Sequence, residues 1–360
     1  MRPRLLTSVL LLPAFLVSSL LFSADPRPEL PPAQRVTFDG NTEVGAALKL
    51  LHEKTRIPVE DRRGEPDTKI DLHLKEVTFW EALDRIAAAA GAEVDLYAAD
   101  GKLALRKRTG RPPLTGPQTV SYDGRFRTAI KRITGSVDLE TGERSYVGVV
   151  EVAWEPGTQP YFLNTRVDAL TLDGRKAAGS GGKNQFVYRQ NADQFETALP
   201  TPPPDAKTIG ELTGKVSVVA PSRIATFAFG PLDQIKGMPK QEDGKVVCRI
   251  EDVKLSGNNW KVKVSMSYPP GNAELDDTHS AYQIAATNEL VLESKDGKRR
   301  FVALPSYVPA ATPTSVVVEY NLTKDNRPTG EAKDWTVSFR APAAVVRVPV
   351  AFTFKDVPLP

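Results

Sequence analysis

Two stretches of this 360-residue chain carry matching residues at every second position, and each reads as a copy of the other. Tyr146, Gly148, Val150, Val152 and Trp154 occupy every second position, as do Trp260, Val262, Val264, Met266 and Tyr268. Both runs end in Pro-Gly, at Pro156-Gly157 and Pro270-Gly271. A period of two is the side-chain period of a β-strand, so each run predicts a strand, the clearest in the chain being Trp260 to Tyr268. In the second run the opposite face is Lys261, Lys263, Ser265 and Ser267. Further landmarks recur in the same order. Arg132-Ile133 matches Arg249-Ile250, and Leu170 and Leu172 before Asp173-Gly174 match Leu290 and Leu292 before Asp296-Gly297. The stretch Pro221 to Phe229 matches Pro342 to Phe354. Each repeat therefore predicts one antiparallel β-sandwich, 118–235 and 245–360, joined by a linker at 236–244. Immunoglobulin-like describes them only by analogy of fold. Thirty prolines and 25 glycines suit a β-rich chain with many turns.

Upstream the periodicity changes. Val36 to Phe38 reads as a short strand, and Asn41 or Thr42 as the N-cap of a helix whose apolar face is Val44, Ala47, Leu48 and Leu51. Ile57 to Val59 predicts a strand that Pro58 confines to an edge. Ile70, Leu72 and Leu74 alternate with Asp71, His73 and Lys75, which predicts a half-buried strand. Thr78 caps a second helix with the face Phe79, Ala82, Leu83, Ile86 and Ala90, ended by Gly91. Asp100-Gly101 turns a closing hairpin between Val94 and Leu105. The result is a βαββαββ module over 35–109, with a proline-rich linker at 110–117 behind it. The whole chain is expected to be multidomain: α+β first, then two tandem all-β sandwiches.

The paired units Val44-Gly45-Ala46-Ala47-Leu48-Lys49-Leu50-Leu51 and Thr78-Phe79-Trp80-Glu81-Ala82-Leu83, with the hairpin that follows, carry a resemblance. The module resembles the short N-terminal domain shared by bacterial secretins and TonB-dependent receptors. That resemblance covers about a fifth of the chain and implies a periplasmic module that docks partner proteins, with no catalytic residues to carry over. No barrel or pore sequence follows, so transport and secretion are not implied.

Residues 1–24 combine Arg2 and Arg4 with an apolar run from Leu5 to Phe22, the pattern of a secretory leader. Cleavage after Ala24 competes with cleavage after Ser19, and the length leaves an uncleaved anchor open. A polar, proline-rich spacer fills 25–34. The expected location is the periplasm or the cell surface, with no stable membrane insertion once the leader is removed. Net charge is +3, from 47 basic and 44 acidic residues, too small for the long-range field that nucleic-acid binding needs.

Catalytic signatures are missing. His52-Glu53 begins a zinc-protease pattern, but Arg56 stands where the second histidine belongs. Asp276, Asp277 and His279 form one compact group of ligand types, read as a solvated acidic turn. Cys248, the only cysteine, lies in an apolar run and is expected to be a buried, inert thiol. No enzyme, cofactor or metal is expected. Trp80 lies about 100° from the apolar helix face, where it either finishes a core edge, the favoured reading, or anchors a partner. It is the single candidate partner-binding residue. The expected function is a non-enzymatic envelope docking or scaffold protein with an envelope protein partner. The alternative is carbohydrate binding at the cell surface, polysaccharide stacking on Tyr161, Phe162, Tyr188, Tyr307 or Tyr320.

Overall fold

A computed structural model of the chain describes residues 29–360 apart from 99, 111–117, 177–181, 188, 257–258, 270–277 and 324–327. Antiparallel sheets dominate the described residues, and three α-helices accompany them.

The N-terminal module runs β1 (Arg35–Glu43), α1 (Val44–Thr55), β2 (Val59–Arg62), β3 (Lys69–Thr78), α2 (Phe79–Ala89), β4 (Ala92–Asp95) and β5 (Leu103–Lys107). β1 pairs only with β3, while β2, β5 and β4 form a second sheet in that order with β2 parallel to β5. The helical faces read from the sequence are buried: Val44, Ala47, Leu48 and Leu51 on α1, and Phe79, Ala82, Leu83 and Ile86 on α2. Thr78 caps α2 by accepting a hydrogen bond from the Glu81 amide at 3.4 Å. The expected cap of α1 is different. Asn41 and Thr42 belong to β1, opposite Asp71 and Ile70, because that strand runs on to Glu43. Asp67, from the loop before β3, accepts instead from the Gly45 amide at 3.1 Å and satisfies the helix end from outside.

The first repeat runs β6 (Val120–Asp123), β7 (Phe126–Val137), β8 (Arg144–Trp154), β9 (Phe162–Leu172), β10 (Arg175–Lys176), β11 (Asn184–Phe186), β12 (Ala192–Leu199) and β13 (Thr208–Pro231). The second runs β14 (Gln241–Asp243), β15 (Val246–Ser256), β16 (Asn259–Ser267), α3 (Thr278–Ala285), β17 (Glu289–Ser294), β18 (Arg300–Ala303), β19 (Tyr307–Thr312), β20 (Ser315–Leu322) and β21 (Trp335–Pro358). The outer sheets, β12-β8-β7-β6 and β14-β15-β16-β20-β19, confirm the period-two runs as central strands. The repeat alignment shifts at one landmark. Ile130 faces Val150 and Ile250 faces Val264, each just before a bulge, so Ile130 and not Ile133 is the counterpart of Ile250.

The inner sheet is shared. Six of its seven strands, β10-β9-β13-β21-β17-β18, read the same from either end when each is replaced by its repeat counterpart, and the seventh, β11, pairs with β9. At its centre β13 and β21, each 24 residues long, pair antiparallel from Thr208 opposite Pro358 to Pro231 opposite Thr336. One core combines Phe126, Val150, Trp154 and Leu212 with Val350, Phe352, Phe354 and Val357 of the second repeat. The other combines Trp260, Val264, Tyr320 and Phe339 with Ala225, Phe227 and Phe229 of the first. Each repeat thus keeps the first half of its last strand and sends the second half into the other's core, and a division of the chain at 236–244 cuts across both cores. Gly214 lies opposite Phe352 in this pairing, and a Cβ there would stand 2.3 Å from the Phe352 ring. Glycine makes room for the exchanged aromatic.

Candidate docking interface

Helix α2 is buried on two faces. One is the module's own core. On the other, Trp80 is fully buried and donates from Nε1 to the Arg125 carbonyl at 3.1 Å, while Asp84, one turn on, meets the β6–β7 hairpin. The candidate partner-binding residue therefore has no surface for an outside partner. Its partner is the chain's own next sheet.

The contact is apolar at Ala153 and Ala192, which belong to the module's core cluster, and polar around them. Arg127 bonds Asp84 at 2.7 Å and Glu151 at 3.1 Å. Tyr122 donates to Asp84 at 2.8 Å, and Tyr97 and Gln194 donate to Glu151 at 3.0 and 3.1 Å. Burial by itself would lower the Arg127 pKa, but Asp84 and Glu151 outweigh it and hold the guanidinium charged. Burial, reinforced by the carboxylates, keeps both tyrosines protonated by pushing Tyr122 and Tyr97 well up. Glu155 behaves differently. It is buried, bonded through one oxygen to Arg125 at 2.7 Å, and desolvation raises its pKa despite that partner.

This covered face had a signal in the sequence. In β16 the outward residues are lysines and serines, but the equivalent outward residues of β8 are Val147, Val149, Glu151 and Ala153. From Gly148 to Trp154 the strand is buried on both faces. An apolar outward face on one repeat and a charged one on the other marks which sandwich the module covers.

With that flank of α2 used, β3 is one of the module's open strand edges, and the one that borders α2 along a groove. Among the described residues β3 has β1 on one side and no strand on the other. A groove of about 490 Å³ follows this open side, lined by Asp71 to Lys75 and Val77 of the strand and by Glu81, Arg85 and Ala89 of α2. Asp71, His73 and Lys75 point to the outer face, with His73 bonded to Asp39 at 3.1 Å and Asp71 at 3.3 Å. An open strand beside a groove offers backbone donors and acceptors to an incoming strand.

The other sequence candidates are scattered. His52 is exposed on α1 and lines a shallow groove with Lys49, Val59 and Asp61, not the groove along β3. Cys248 is fully buried, and desolvation pushes its thiol well up, which makes it a poor nucleophile. Of the proposed sugar platforms, Tyr161, Phe162 and Tyr320 are buried in the cores and Tyr307 is exposed, while Tyr188 lies outside the described residues. Asp276 and Asp277 lie outside them too, as does the His279 side chain. Among the described residues no three potential metal ligands cluster, and no helix is long and apolar enough to cross a membrane.

No protein-family model, curated protein or solved structure matches the chain.

Proposed function

We propose that this is a non-enzymatic, exported docking or scaffold protein of the bacterial envelope, whose N-terminal module accepts a protein strand along β3. The observation that carries the reading is the unpaired β3 edge with its flanking groove. Its support also includes the leader-like N-terminus, the βαββαββ order and the likeness to the secretin and TonB-receptor module. Trp80 and the Arg127 network fix α2 to the outer sheet of the first sandwich, so the sandwiches hold the edge in a set orientation. Strand addition gains affinity from main-chain hydrogen bonds and specificity from alternate side chains.

The test is photocrosslinking in living envelopes, with a photoreactive residue at Lys75 on β3 or at Lys263 on the outer face of β16. Discrete crosslinked protein bands from position 75 and none from 263 are expected. Bands from 263 alone would move the docking surface to the sandwiches.

A further inference from the structure

The charges along β3 are arranged so that the edge complements itself. Consider a second β3 laid antiparallel against the first, with the two-fold axis through His73. Asp71 of each copy then lies opposite Lys75 of the other, on the outer face, where all three side chains are exposed. Leu72 of each copy lies opposite Leu74 of the other, facing the side covered by α2. Both charge pairs are formed at once, because an isologous contact makes every pairing twice. The α2 flank that lines the same groove carries one charge of each sign, Glu81 and Arg85, and the small Ala89. Such a flank also tolerates its own two-fold image. β3 pairs with β1 regularly from Lys69 to Leu74, and the bulge follows on β3 itself, where Lys75 and Glu76 together oppose Thr37 and Glu76 has a φ of +52°. Edges built to repel pairing carry one sign of charge in their centre. Residues 71–75 carry both signs, and the bulge falls at the C-terminal end of the paired stretch rather than in its centre.

We propose that the strand docked on β3 is β3 of a second copy of this chain, forming a continuous sheet β1-β3-β3-β1 across a two-fold axis. The proposal rests on the reading of β3 as the docking edge and names its occupant. Two modules joined in this way would carry four sandwiches on one scaffold.

The test is sedimentation velocity of the full chain and of three variants: Asp71→Lys, Lys75→Asp, and both together. Opposed like charges destabilise an antiparallel pair about as much as opposite charges stabilise it, and symmetry doubles each change. Each single substitution is expected to weaken the dimer roughly tenfold or more, and the double variant to recover to within about threefold of the original. The substituted side chains are exposed, so unchanged circular dichroism serves as the folding control. A dimer indifferent to all three variants would overturn the proposal by placing the contact elsewhere. A monomeric chain whose position 75 crosslinks to a different protein would also overturn it, while leaving β3 as the docking edge. A monomeric chain with no crosslink from position 75 would remove both.

Discussion

Truncating Phe354 should unfold the wrong repeat. Phe354 belongs to the second repeat by sequence, yet it is fully buried in the core built on Phe126, Val150 and Trp154, stacked on Phe352 with ring centroids 5.0 Å apart. Phe→Ala at such a site costs about 3–5 kcal/mol, from lost transfer energy and the cavity left behind. Taking roughly 4 kcal/mol, and about 1.4 kcal/mol per factor of ten, the opening equilibrium of that core rises about a thousandfold. Hydrogen exchange read by mass spectrometry should show this as lost protection in peptides from β7, β8 and β9. Peptides from β15 and β16, in the repeat that contains Phe354, should change far less. Phe227→Ala should give the mirror image, opening β15 and β16 while β7 and β8 hold. If Phe354→Ala deprotected 246–267 and spared 126–172, the strand exchange would be refuted.

Trp80→Ala should destabilise the chain by about 3–5 kcal/mol in denaturant titration, and Trp80→Phe by about 1 kcal/mol, because the Arg125 carbonyl keeps its bond from the Glu155 amide. Arg127→Ala leaves Asp84 and Glu151 without their shared cation, and a loss of about 3–5 kcal/mol is expected in the same assay. Glu155 has a folded pKa raised above its ordinary value of 4.5, so its contribution to stability is present at low pH and declines as pH rises through the folded value. The stability of Glu155→Gln relative to the native chain should therefore improve as pH rises above the ordinary carboxylate value of 4.5, and a flat difference would contradict the burial account. Cys248 should resist thiol reagents in the native state and react only at the rate of unfolding.

Much of the local structure was legible in the residues. Period two placed β8 and β16, the helical spacing placed the buried faces of α1 and α2, and Thr78 marked a helix start. What could not be read was which surface each buried face meets. The alternation in β13 and β21 says that Leu212, Phe227, Phe339 and Phe354 point inward, but it carries no information about whose core they enter. The same limit applied to Trp80. Its angle on α2 set it beside the apolar face, as a core edge or a partner anchor, whereas only the fold reveals Ala153 and Ala192 waiting on the next sheet. Asp67 was missed as the cap of α1 because it lies 22 residues from the amide it serves. The open edge of β3 was hidden for a further reason. The sequence shows a strand's faces, whereas its edges depend on the order of the whole sheet.

The central claim is that β3 pairs with an incoming strand, and amide exchange along β3 tests it most directly. In dilute, isolated protein the β3 amides that point away from β1 should exchange freely. In the docked state, captured in envelopes or at high concentration, the segment 70–75 should gain protection while 259–267 stays as it was. Protection that appeared in the sandwiches and left 70–75 unchanged would contradict the account.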